Sequence, residues 1–227
     1  MRPGGQDREA LRARIVSCRR CPRLVRYREG IEPRASFAGQ RYWRKPVPGF
    51  GDVDGRLLVL GLAPAQHGGA RTGRIWTGDA SSAFLVRALH ATGFANQPRS
   101  ESAEDGLVYR GCYLTAAVKC APPGDKPTAE EFANCSPFLD QEVALMKNLE
   151  GVLALGSMAF RAYLSHLARS GADARGAKFV HGGVYRLAGS PTLYASYHPS
   201  PRNTNTGKLT QGMLVRVLRV IRKDLSI

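Results

Sequence analysis

Long hydrophobic runs are missing from this chain. No stretch of about 18 apolar residues occurs in its 227 residues, so nothing in it reads as a membrane-spanning helix. The opening MRPGGQDREALRAR lacks the apolar core of a secretory signal. A cytoplasmic protein is therefore expected, nucleoid-associated in a bacterium or archaeon. Internal repeats and low-complexity tracts are absent beyond the Arg-rich start, which argues against a solenoid or a disordered chain. Acidic residues are scarce, with 18 Asp and Glu against 33 Lys and Arg, a formal net charge of +15. The excess sits at the two ends: residues 1–50 carry +9 and residues 197–227 carry +5 around a nearly neutral middle. That asymmetry disfavours a cationic partner and suggests a face that meets a polyanion, nucleic acid first. What remains is ordinary for a globular protein, 43% apolar and 22% charged residues.

Cysteines are few, and their spacing is informative. Cys18 and Cys21 form a CxxC, while Cys120 and Cys135 lie far along the chain with 14 residues between them. In a reducing compartment disulfides are an improbable use for them. Four thiolates in two groups can close around a metal ion or a cluster. Cys112 lies in the apolar stretch GCYLTAAV and reads as a small buried hydrophobe.

The pattern along the chain alternates. REALRARIVSC has helical spacing and brings Cys18 and Cys21 to a helix end. Residues 22–56, rich in Arg, Gly and Pro, read as a long irregular connection. Strand-length apolar runs follow at 56–62, 112–118, 151–156 and 192–197, and helical patterns at 81–93, 128–148, 157–171 and 208–224. Apolar strands alternating with helices predict one α/β domain over residues 1–227, a mainly parallel sheet of four strands covered on both faces. Ligands bind outside the carboxyl ends of such strands. Three unusual loops belong there: Gly61–Gly69, Lys119–Pro127 and His198–Lys208.

Each loop carries candidates with two readings. The small residues of GLAPA (61–65) let a ligand approach the backbone, or they make a plain turn. Trp76, in RTGRIWTGD (71–79), is a core aromatic or a surface on which a base stacks; Asp79 caps the next helix or is a buried catalytic carboxylate. His198, directly after a strand and followed by PSPRN, is a structural histidine or a donor to a leaving group. Ser200, Arg202 and Asn203 suit phosphate. His90 and His166 in helices and His181 in a turn read as structural.

Taken together, GLAPA (61–65), RTGRIWTGD (71–79), TAAVKCAPP (115–123), YHPSPRNTNTGKLT (197–210) and the cysteine spacing resemble the uracil-DNA glycosylase superfamily, most closely its broad-specificity iron–sulfur branch, family 5. The resemblance spans roughly residues 18–212. It implies a three-layer α/β/α fold and a [4Fe–4S] cluster on Cys18, Cys21, Cys120 and Cys135 that pins the N-terminal segment. It implies a monofunctional enzyme that flips out a damaged base, releases it and leaves an abasic site without lyase chemistry. Asp79 and His198 would be catalytic. The base would meet Gly61, Ala63, Pro64, Ala65, Gln66, Trp76 and Ala116 or Ala117. DNA would be held by His67, Gly68, Arg74, Lys119, Ser200, Pro201, Arg202 and Asn203.

The sequence departs from related branches in two places. Those branches place a polar side chain in the first motif to position water, where this chain has Leu62–Ala65; many read uracil with an Asn where this chain has Ala116 or Ala117. Fewer polar readers relax discrimination. Uracil in paired and mismatched contexts, hypoxanthine and other deaminated bases are therefore expected substrates. They would be taken from double-stranded DNA, with single-stranded DNA left open, by a monomer. The rival readings are a zinc- or cluster-stabilised nucleic-acid-binding module without chemistry, and an electron-transfer iron–sulfur protein.

Overall fold

The computed structural model describes residues 3–227, with side chains described from residue 6 onward. Helix α1 (Pro3–Val16) leads to Cys18, and Cys21 stands at the N-cap of helix α2 (Pro22–Glu29), opened by Pro22 in its first turn. Residues 22–56 are thus more ordered than the sequence suggests. They hold α2, a 3₁₀ turn at Ala35–Phe37 and the two-residue edge strand β1 (Phe50–Gly51). The helix α2 escapes a periodicity search because it buries only Leu24, Val25 and Arg28.

Strand β2 (Leu57–Gly61) and the short helix α3 (Gly69–Thr72) precede α4 (Ala80–Ala91) and β3 (Cys112–Ala116). Helix α5 (Ala129–Leu145) starts at a capping box in which Thr128 and Glu131 satisfy each other's end of the helix. Strand β4 (Gly151–Leu155) and helix α6 (Ser157–Arg169) follow, then β5 (Val184–Tyr185), β6 (Thr192–Ser196), α7 (Pro201–Thr204) and α8 (Gln211–Asp224). The sheet has six strands in the order β1-β3-β2-β4-β6-β5, not the four expected. The four long strands are parallel; β1 and β5 add short antiparallel edges.

Strand alternation divides the core. Leu57, Val59, Leu114 and Leu153 face α4 and α8, whereas Leu58, Leu60, Val152 and Ala154 face α6 and the apolar side of α5. These are the three layers of an α/β/α sandwich. The order reverses about β2: the chain passes from β2 to β3 on one side, then returns across it to β4 and β6 on the other. The carboxyl ends of β2 and β4 therefore flank a topological switch point, where open α/β sheets place their ligands. Among the described residues no helix is long and apolar enough to cross a membrane.

Candidate active site

At the end of β2, Gly61 lies under the Trp76 ring; a Cβ there would stand 2.6 Å from Trp76 Cζ2. At the end of β4, Gly156 does the same for His198, whose Cβ would be 3.2 Å from an added Cβ. The two strand-end glycines thus let Trp76 and His198 settle side by side over the switch point, with ring centroids 5.4 Å apart. Trp76 is only 8% exposed, so it is no surface aromatic. Its backbone is left-handed at φ 54°, which costs a bulky residue energy, and its buried Nε1 has no hydrogen-bond partner. Strain and an orphaned donor in one residue mark a functional position. His198 carries a pKa pushed down to about 4 by burial, so it is neutral at pH 7 and offers one N–H donor. Asn203 holds the loop by donating from Nδ2 to the His198 carbonyl at 2.8 Å.

Asp79 does cap α4: its Oδ1 accepts from Ser82 N at 2.9 Å, and Ser82 Oγ accepts from Asp79 N. Its Oδ2 is packed against Gly68, where a Cβ would come within 1.9 Å. Burial raises the Asp79 pKa, opposed by the Ser82 and Ser81 bonds and by Arg71. The capping and buried-carboxylate readings are therefore compatible. The loop between Gly61 and Asp79 is held by its own bonds. Ala65 accepts from Gly68 and Ala70 through its carbonyl, and Arg71 donates to the His67 and Gly78 carbonyls. Tyr27 of α2 donates to Gln66 Oε1 at 2.7 Å, and Tyr42 OH lies 2.9 Å from His67 Nδ1. Pro64 packs against Gly69, and Ala63 packs toward Cys120 and Cys135.

Three expected site residues lie elsewhere. Lys119 is 1% exposed and ion-paired with Glu142 inside the core, so it cannot reach a phosphate. Arg74 is 5% exposed and bonds Asp105, Thr77 and Ser100, so it braces the Trp76 loop from within. Ala117 points to the α5–α6 face, where it lines an apolar cavity of about 380 Å³, while Ala116 shares the core of Trp76. The one-residue offset explains it, because successive residues at a strand end face opposite sides. Ser200 is the N-cap of α7, and Pro201 and Arg202 are exposed in its first turn.

Cys18, Cys21, Cys120 and Cys135 line one small, partly open cavity together with Leu24, Val25, Pro46 and Phe138. Donors aim at the sulfurs: Arg28 Nη1 to Cys120 at 3.1 Å, Asn134 Nδ2 to Cys21 at 3.6 Å and Lys119 N to Cys135 at 3.5 Å. Arg28 also lines this cavity, is 4% exposed, and leaves its buried Nε unpartnered. A donor-rich, apolar-walled space of this kind suits an electron-rich group bound through thiolates. Among the described residues no His, Cys, Asp or Glu group has the closeness that a single metal ion requires.

Gly156, Tyr27 and Tyr42 were not among the expected site residues. Gly156 had a signal, being a glycine directly after a strand. The tyrosines had none, since their partners lie 39 and 25 residues away.

An α/β/α sandwich with small-residue loops, a Trp–His pair at the switch point and a four-cysteine cavity defines a class. The family model described as the uracil DNA glycosylase superfamily matches residues 48–222. A type-5 uracil-DNA glycosylase of Pyrobaculum aerophilum is 50% identical over 206 residues, 91% of this chain and 88% of that protein. One from Thermus thermophilus is 47% identical over 213 residues, covering 93% and 95%, and one from Mycobacterium bovis is 45% identical over 216, covering 94% and 80%. The chain belongs to the uracil DNA glycosylase superfamily, in its type-5 branch.

Proposed function

We propose that the protein is a uracil-DNA glycosylase, a hydrolase of N-glycosyl bonds. In this reading it also removes hypoxanthine and other deaminated bases such as xanthine, and leaves the strand uncut. The observation that carries it is the Trp76–His198 pair seated on Gly61 and Gly156 at the sheet's switch point. A base flipped from the duplex, at a cost of about a few kcal/mol that is least at a mismatch, would lie against that pair. His198, neutral and short of solvent, donates its N–H to the departing base as negative charge develops. Donors of this type contribute roughly 2.7–4 kcal/mol to transition states in comparable sites. Asp79 offsets the positive charge growing on the sugar or orients the attacking water. The backbone of Gly61–Gln66 supplies further donors. No amine is cast as a nucleophile, and the buried Lys119 is engaged by Glu142. The apolar Leu62–Ala65 and Ala116 favour relaxed base selection, because few buried polar groups are left unpaired by a different base. DNA is held by His67, Gly68 and the Ser200–Asn203 loop. The enzyme would act as a monomer of one domain, on duplex DNA, with single-stranded DNA left open.

Cys18, Cys21, Cys120 and Cys135 would hold a [4Fe–4S] cluster whose part is to tie the N-terminal segment to the loop after β3. The bond-breaking chemistry falls to Asp79, His198 and the backbone.

The test is an oligonucleotide bearing one uracil or one hypoxanthine, incubated with the protein and then with alkali. Scission only after alkali is expected. Asp79→Asn and His198→Ala should each slow single-turnover release by orders of magnitude while DNA binding survives. Intact strands for every lesion would point instead to a binding module, and cutting without alkali would overturn the lyase-free reading.

A further inference from the structure

The residue beside His198 leads away from the base. Tyr197 follows β6 and packs against the same α4–α8 core as Trp76, and the His181 ring stacks on it with centroids 4.9 Å apart and planes 11° from parallel. The Tyr197 backbone N–H donates to His181 Nδ1 at 3.2 Å. That bond fixes the tautomer: in neutral His181 the proton sits on Nε2 and is free to be donated. Burial and the nearby Arg216 both lower the His181 pKa, which keeps the ring neutral. The Lys208 ammonium sits 4.7 Å from the centre of the same Tyr197 ring. Arg216, on α8, shares with His181 and Gly182 the wall of a shallow groove of about 300 Å³. Among the described residues neither Lys208 nor Arg216 has a carboxylate within 4.0 Å, whereas Arg186 nearby is paired with Asp224. Lys208 therefore lies against Tyr197 and Arg216 beside His181, both cations in the terminal segment that carries +5.

We infer that His181, Lys208 and Arg216 form a phosphodiester site that grips the DNA strand beside the flipped nucleotide, with Tyr197 as its scaffold. The inference rests on the glycosylase reading for the identity of the polyanion. Tyr197 joins the two sites physically, because adjacent backbone positions carry His198 to Trp76 and Tyr197 to His181. Gripping the strand through Tyr197 while the next residue, His198, meets the base would hold the backbone in its flipped geometry. The site also gives work to a histidine that reads as structural in the sequence.

The experiment measures binding of wild-type protein and variants to an undamaged duplex and to a duplex with an abasic-site analogue, across a series of salt concentrations. Lys208→Met and Arg216→Met should each weaken binding and flatten the plot of log K against log salt by about 0.9. His181→Phe keeps the stack but loses the donor; it should weaken binding about fivefold with the slope unchanged, since no counterion is released. Lys147→Met, between α5 and the amino end of β4 and so at the opposite end of the strands from His198, should keep the wild-type slope. Wild-type slopes in both the Lys208 and Arg216 variants would overturn the inference. So would an equal flattening in Lys147→Met, which would make the effect one of net charge. If wild type released no base from any lesion, the glycosylase reading would fall, and the slopes on undamaged duplex would still decide the phosphate contacts.

Discussion

His198 sits between Gly156 and Trp76 with a pKa of about 4, held down by burial. An unfolded histidine titrates near 6.5. Between those values the unfolded chain binds more protons than the folded one, so stability rises with pH across the interval. The contribution is complete above about 6.5 and is lost as pH falls toward about 4. Wild-type protein should lose about 2 kcal/mol more unfolding free energy between pH 7 and pH 5 than His198→Ala does, measured by urea denaturation at both pH values. Equal losses would mean that His198 is solvated and that its neutral-donor role is misplaced. Residues of this kind were partly legible. A histidine after a strand, locked by two prolines, announces its own position. The burial of Trp76 was hidden, because it depends on Gly61 lying fifteen positions earlier beneath the ring. Lys119 and Arg74 misled for a related reason: a basic residue in a loop reads as a surface charge until its acidic partner, far along the chain, is placed beside it.

One such partnership spans two elements. Glu142 of α5 reaches β3, where its carboxylate takes Lys119 Nζ and Thr115 Oγ1, and it also accepts from the Gly49 backbone N–H. Lys119 Nζ donates to the Ala116 carbonyl as well, so the network fixes the carboxyl end of β3 just below the site. Removing one charge strands the other in the core. Glu142→Ala should cost about 3–5 kcal/mol in urea unfolding, and Lys119→Met with Glu142→Leu should recover at least half of that. A double variant as weak as the single one would show that the charges themselves stabilise the joint. The elements that meet here, β3 and α5, could be read directly, one from its apolar run and the other from Thr128 and Glu131. The short pieces could not. Strands β1 and β5 are two residues each, and β1 exists only because β3 offers it an edge. Helix α2 carries four charged residues in eight and gains its helical state from Pro22 and from docking Leu24 beside the cysteines.

Across the whole molecule, the basic N-terminal segment is held at several separated points. Leu11 and Ile15 of α1 pack on Phe138 of α5, Arg23 pairs with Glu131, Tyr27 bonds Gln66, and the cysteines share a cavity. The charge asymmetry showed that the ends were special, but not that the first fifty residues also brace the loop at Gly61. The attachments differ in strength. Half-exposed ion pairs contribute about 0–1 kcal/mol each and one hydrogen bond about 1 kcal/mol, whereas thiolate ligation of the proposed cluster would close a loop of about one hundred residues. Trp43, Val47 and Phe50 at its far end reach the sheet core, and the stretch from Ser17 to Tyr42 lies outside it. Removing the proposed cluster by chelator and oxidant should therefore free residues 17–42 before it unfolds the sheet. Limited proteolysis should cut first between Ser17 and Tyr42, with most far-UV dichroism retained. Base release should fall in parallel, because Tyr27 and Tyr42 leave Gln66 and His67. Broad visible absorbance lost at the same rate would identify the group as iron–sulfur, since zinc has none. Digestion spread evenly through β2–β6 would place the cysteines in the folding core itself, and an unchanged cleavage pattern would remove them from any tethering role.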